Sequence, residues 1–186
     1  PPSDKVKAAL QDAVQNNQFS YTESLGLLAL REKIAAYYDR TYQVKINPNR
    51  ILLTPGTSGA FLVAYALTLN NGDKLGLTDP SYPCYKNFAY MMDIQPEFMP
   101  VDKQDCYQLS VEQLKRHQIK ALQISSPANP TGNIYTTERL KALNEYCREH
   151  DIAFISDELY HGLVYDETAA TALQFNDKAY VINGFS

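Results

Sequence analysis

Apolar side chains along the N-terminal part of the chain recur at helical spacing. Val6, Leu10, Ala13 and Val14 follow Ser3, a residue suited to cap a helix start, and predict a first helix. Leu27, Leu30, Ile34 and Tyr37/Tyr38 share one face of a second, expected from about Leu25 to Tyr42. The pattern then shortens. Arg50-Ile-Leu-Leu-Thr54 reads as a short buried strand stopped by Pro55-Gly56. An apolar helix is expected over Thr57–Asn70, and the turn Asn71-Gly72-Asp73 leads into a strand at Lys74–Thr78. Asp79-Pro80 closes that strand, with a helix across Tyr82–Met92 and a weaker strand over Gln95–Val101 behind it.

Alternation continues downstream. Ser110-Val-Glu-Gln113 has the form of a capping box for a short helix to about Gln118. Ile119–Ser125 reads as a strand, followed by the loop Ser126-Pro-Ala-Asn-Pro-Thr-Gly132. Thr136 or Thr137 caps a helix running to His150, Ile152-Ala-Phe-Ile155 is a strand ending at Ser156-Asp157, and Ala179–Asn183 looks like the last. Continuous apolar strands separated by helices predict an α/β fold with a mainly parallel sheet covered on both faces, a three-layer α/β/α arrangement.

Composition narrows the class further. With 186 residues, 45% hydrophobic and 20% charged, the chain falls outside disordered, collagen-like and coiled-coil ranges, and its length suggests one domain. A formal charge of -4 argues against nucleic-acid and anionic-membrane partners. Cys84, Cys106 and Cys147 form no CxxC pair, which points to a reducing compartment. His117, His150 and His161 form no HExxH or Cys/His cluster, so no metal site is expected. The longest strongly apolar stretch, Phe61 to Leu67, is too short to cross a bilayer, and Pro-Pro-Ser-Asp does not resemble a signal peptide. A soluble, cytoplasmic protein is the expectation.

In open α/β sheets ligands bind beyond the carboxyl ends of the strands. The residues just past each expected strand are Thr54-Pro-Gly-Thr-Ser-Gly59, Asp79-Pro-Ser-Tyr82, Ser126-Pro-Ala-Asn129, Asp157 and Gly184-Phe-Ser186. They form the inventory of a site for a flat, phosphorylated ligand. Thr57, Ser58 and Gly59 would open a helix whose free N–H groups and dipole favour a phosphate, although, taken alone, a strand-to-helix turn in which Ser58 merely caps is the commoner reading, as no GxxxxGK(S/T) or GxGxxG pattern is present. Asp157 closes an apolar strand and must meet a cation, a metal or strong donors, or else cap the segment Glu158–Leu163. Tyr160 could point into the same mouth. Asn129 is a side-chain donor or a turn former, and Tyr82 a stacking platform or loop packing. His161 is assigned no role.

Taken together, these motifs resemble the fold-type I, pyridoxal-phosphate-dependent aminotransferases of class I/II. The matching pieces are Tyr21-Thr-Glu-Ser-Leu-Gly26 with Leu30-Arg31, Thr54-Pro-Gly-Thr-Ser-Gly59, Asp79-Pro-Ser-Tyr82-Pro-Cys-Tyr85, Ser126-Pro-Ala-Asn129-Pro-Thr-Gly132 and Ser156-Asp157-Glu-Leu-Tyr160. The resemblance covers almost the entire chain and implies that residues 1–186 belong to the large, cofactor-binding domain. It implies that Thr57, Ser58 and Gly59 hold the phosphate of pyridoxal 5'-phosphate and that Tyr82 stacks on its ring. Asn129 and Tyr160 would hydrogen-bond the phenolic oxygen, and Asp157 would keep the pyridine nitrogen protonated. Tyr21 resembles the tyrosine that reaches the neighbouring subunit's cofactor, which implies a homodimer.

The activity so implied is transfer of an amino group between an α-amino acid and a 2-oxo acid, with a lysine holding the cofactor as a Schiff base. Phe185-Ser186 resembles the Phe-Ser-Lys run of the family, which puts that lysine one residue past Ser186. The small domain and the arginines for the phosphate and the substrate carboxylate are likewise expected outside this sequence. Gly184 stands where many relatives carry a serine that helps hold the phosphate. Two alternatives share the same residues. One is a lyase, either aminocyclopropane carboxylate synthase-like or carbon–sulfur lyase-like, and the other is the effector domain of a transcriptional regulator.

Overall fold

The structure, a computed structural model, describes residues 2–18, 20–165 and 169–185. Its helices are α1 (Asp4–Gln15), α2 (Leu28–Tyr42), α3 (Gly56–Thr68), α4 (Cys84–Met91), α5 (Val111–Leu114) and α6 (Thr137–Glu149). The strands are β1 (Lys74–Asp79), β2 (Gln95–Pro100), β3 (Ala121–Ser125), β4 (Ala153–Asp157) and β5 (Tyr180–Ile182). They form one sheet in the order β2-β1-β3-β4-β5, and every pairing is parallel.

Parallel pairing puts the carboxyl ends of all strands on one edge. Register fixes which residues meet there: Asp79 pairs with Pro100, Ser125 with Asp157, and Asp157 with Ile182. Because the C-terminus of α3 turns through residues 69–73 into the start of β1, the N-terminus of α3 lies toward that same carboxyl edge.

Strand alternation divides the core into two layers. Leu122, Ile124 and Phe154 face α6 and pack with Leu140, Leu143 and Cys147. Ala121 and Ile155 face the other way, toward Phe61, Tyr65, Tyr85 and Ala89 of α3 and α4. Both faces of the sheet are covered, as the continuous apolar strands predict. The capping box at Ser110 forms in full, and Thr136 rather than Thr137 caps α6.

Two expectations about elements need correction. Arg50–Thr54 is not a strand. Asn47 caps a 3-10 turn at Pro48–Arg50, and the following Ile51–Leu53 run extended beside the loop before α2. Their contact with it includes a backbone bond from Leu53 N–H to the Leu25 carbonyl (3.0 Å). An apolar run becomes a strand only where a neighbour offers a ladder, and none of the described strands pairs with it. Second, α2 starts at Leu28 rather than near Leu25, because Gly26 adopts a φ of +89° and breaks the helical path. As expected, α1 forms with Ser3 as its cap; its Val6, Leu10 and Val14 are 51–62% exposed, and it buries nothing among the described residues.

Candidate functional site

Asp157 ends β4 and is buried on the α3/α4 side of the sheet. The strand's apolar residues carry it there, and burial raises its carboxyl from the ordinary aspartate value. Two donors hold that rise back. The Tyr85 hydroxyl donates to Oδ2 at 2.5 Å, and the Leu159 N–H donates to Oδ1 at 3.2 Å. Asp157 therefore both holds the backbone two residues on and takes a strong donor from across the core. No lysine, arginine or histidine pairs with it among the described residues.

Tyr85 is the residue that local sequence reading missed. It lies in the first turn of α4, almost fully buried, and its hydroxyl is pushed up by burial and by the Asp157 charge. Tyr82 lies just before α4 and Tyr85 in its first turn, and the fold brings both rings to one wall. Their rings meet edge-on at 5.4 Å, and Phe61 of α3 packs edge-on against Tyr85 at 5.1 Å. Tyr82 itself stays half-exposed at the mouth. One layer deeper on the same face, the buried Tyr65 hydroxyl donates to Gln123 Oε1 at 2.5 Å.

The N-terminus of α3 faces the same edge. Pro55 occupies its capping position and makes no side-chain bond, while the Thr54 hydroxyl donates to the Gly56 carbonyl at 2.7 Å. Ser58 lies within the first turn and does not cap it, so the N–H groups around Thr57, Ser58 and Gly59 have no capping side chain. Thr57 and Gly59 are half-exposed and Ser58 is exposed.

The loop after β3 is braced by bonds from Ser125 Oγ to the Pro127 carbonyl (3.1 Å) and from Tyr135 N–H to Ser126 Oγ (3.0 Å). It leaves Asn129 half-exposed, with no side-chain partner among the described residues. Tyr160, three residues past Asp157, is likewise half-exposed and without a hydroxyl partner among them. Tyr21 is fully exposed and stands apart from these groups in the single chain. Ser186 lies outside the described residues.

The fold thus defines an α/β domain with its candidate site at the carboxyl edge of a parallel sheet. The whole chain, residues 1–186, matches the family Aminotransferase class I and II, and it belongs to that family. Among curated relatives, a valine–pyruvate aminotransferase of Mycobacterium tuberculosis is 36% identical over 97% of this chain and 48% of its own length. An aspartate aminotransferase of Bacillus subtilis is 30% identical, over all of this chain and 49% of its own length. Of the solved structures, an aminotransferase from Mycobacterium tuberculosis superposes with a TM-score of 0.93 at 36% identity, over 97% of this chain and 50% of that one. The aromatic aminotransferase from Pyrococcus horikoshii gives 0.92 at 28% identity, over 98% of this chain and 51% of its own. The chain spans about half the length of the relatives it matches.

Proposed function

We propose that this chain is the large, cofactor-binding domain of a pyridoxal-phosphate-dependent aminotransferase that moves an amino group between an α-amino acid and a 2-oxo acid. The observation that carries this reading is Asp157, a buried carboxylate at the carboxyl edge of the sheet whose partners are a phenol and a backbone N–H. A protonated ring nitrogen is the cation such a carboxylate lacks. The donor set around it fits the rest of the cofactor. An uncapped helix start suits a phosphate, a half-exposed tyrosine suits a ring face, and an amide and a phenol with free polar tips suit a phenolic oxygen.

In this reading the N–H groups and hydroxyls of Thr57, Ser58 and Gly59 bind the phosphate, and Tyr82 stacks on the ring and excludes water from it. Asn129 and Tyr160 donate to the phenolic oxygen. Asp157 holds the proton on the ring nitrogen. When bound, pyridoxal phosphate supplies a ring that accepts the electron pair left on the substrate's α-carbon. Full exposure of Tyr21 in the single chain supports its reaching a second subunit's site in a homodimer. Relatives named as a valine–pyruvate aminotransferase and an aspartate aminotransferase favour amino-group transfer over lyase chemistry. The thiols of Cys84, Cys106 and Cys147, all unpaired, support a reducing, cytoplasmic setting. No described helix is long and apolar enough to cross a membrane.

The test uses the full-length protein that carries this chain. With pyridoxal phosphate it should develop a visible absorption band and transaminate at least one α-amino acid in a panel with 2-oxo acids. Asp157→Ala should abolish turnover while the protein still folds cooperatively. Unchanged turnover in that variant would sink the role of Asp157 and the reading built on it.

A further inference from the structure

Behind the candidate site lies a second polar cluster that the reading above does not use. Alternation along β4 sends Asp157 toward α3 and α4 and sends the next residue, Glu158, into the opposite side of the sheet end. There Glu158 is held at several points. Its N–H donates to the Ile182 carbonyl of β5 (2.8 Å), and its Oε1 accepts from Ser156 Oγ (3.0 Å) and the Ala172 N–H (2.8 Å). The Glu158 carbonyl then accepts from the His161 N–H at 3.2 Å, which closes a tight turn with Leu159 and Tyr160 at its apex.

The two ends of that turn meet underneath it. Glu158 Oε2 lies 3.7 Å from His161 Nδ1, with side chains 1% and 2% exposed. Tyr42 of α2 reaches the same ring nitrogen, its hydroxyl 2.8 Å from Nδ1, and its backbone carbonyl accepts from Gln174 Nε2 at 3.1 Å. Yet Glu158 Oε2 and His161 Nε2 are both buried without a hydrogen-bond partner among the described residues. Each is a cost to folding that an apolar side chain would not incur. A pair kept at that cost, directly beneath the turn that presents Tyr160, has a use other than packing.

We propose that Glu158, His161 and Tyr42 are positioning residues that fix where Asp157 and Tyr160 stand, and that the protonation of the Glu158–His161 pair sets that placement. The inference rests on the roles proposed above for Asp157 and Tyr160. Burial pushes the Glu158 carboxyl up to about 7 and the His161 imidazole down to about 4. Near neutrality, then, the imidazole is uncharged and the carboxyl is at its titration point. Among the described residues, the other titratable groups that face Glu158 are Asp157 from its own strand and Tyr38 and Tyr42 from α2, none of them a cation. Ionisation of Glu158 puts a bare carboxylate beside the imidazole nitrogen, and the turn above must adjust.

Two measurements on the full-length protein test this. In the cofactor-free form with 13C-labelled tyrosine, the Tyr160 resonance, identified by its loss in Tyr160→Phe, should move in one step near pH 7. In Glu158→Gln, which keeps the acceptor for Ser156 and Ala172 but cannot ionise, that step should vanish. In the loaded enzyme, Glu158→Gln and Tyr42→Phe should each lower kcat about tenfold while KM for the amino acid changes by less than about twofold, as expected when reacting groups drift but binding survives. A Tyr160 resonance that titrates identically in parent and Glu158→Gln overturns the inference. So does an unchanged kcat in both variants. Should Glu158→Gln fail to fold, Tyr42→Phe, which removes only a hydroxyl, carries the same kinetic expectation. Asp157→Ala separates the two levels. If that variant keeps its turnover, the aminotransferase reading falls, whereas the NMR step reports on the Glu158–Tyr160 coupling independently.

Discussion

A single hydroxyl decides how Asp157 behaves. Burial raises its carboxyl, and the Tyr85 bond is the larger of the two contacts that resist. Tyr85→Phe removes that donor and keeps the ring packed against Phe61 and Tyr82. The Asp157 carboxyl should then rise further and hold its proton to higher pH. The acid limb of the pH–rate profile should move upward, and stability at neutral pH should fall by about 1–3 kcal/mol, the usual cost of leaving a buried acceptor short of a donor. An acid limb that stays in place would detach Tyr85 from Asp157. Asp157 is legible in the sequence because a carboxylate at the end of an apolar run must be there for a partner. Tyr85 is not, because its bond depends on how α4 lies on the sheet, and the five residues Ser81 to Tyr85 carry no trace of that angle.

At the scale of elements, most of the fold is legible for a simple reason. A parallel sheet buried on both faces leaves long apolar runs and clear turn residues between them. What is not legible is pairing. Ile51, Leu52 and Leu53 have a strand's composition, but their partner is the loop at Leu25–Gly26, and no local pattern announces a contact so far along the chain. Gly26 is the hinge of that arrangement. Its φ is +89°, and a Cβ there would lie 2.5 Å from Leu53 Cδ1 and 2.7 Å from Leu53 Cβ. The neighbouring Arg31 side chain locks the loop by donating to the Gly26 carbonyl, the Pro48 carbonyl and Asn49 Oδ1, each at 3.0–3.1 Å. Gly26→Ala should therefore cost at least about 2 kcal/mol, from backbone strain and overpacking together. Leu53→Ala in the same chain should recover only part of that, since its own Cβ still collides. Thermal unfolding of the two single variants and the double would show it. A fully additive double would mean that Gly26 and Leu53 do not touch.

The molecule as a whole moves a proton when it folds. In the unfolded chain Glu158 titrates near 4.5 and His161 near 6.5, so between those values the carboxyl is charged and the imidazole protonated. In the folded chain the order is reversed, at about 7 and about 4, so over the same range the carboxyl holds the proton and the imidazole is neutral. Both states then carry one proton on the pair, and the pair contributes no slope to stability there. The two halves nevertheless act in opposite directions. Glu158, raised on folding, stabilises fully below about 4.5 and loses that contribution as pH rises to about 7. His161, lowered on folding, stabilises fully above about 6.5 and loses that contribution as pH falls to about 4. Removing one half should expose the slope of the other. Relative to the parent, Glu158→Gln should gain stability steadily from pH 4.5 to 7, and His161→Asn should gain it as pH falls from 6.5 to 4. Thermal unfolding of the three proteins across that range measures both differences. Lines parallel to the parent's in both variants would mean that the two groups titrate alike in the folded and unfolded chain and that no proton changes hands between them.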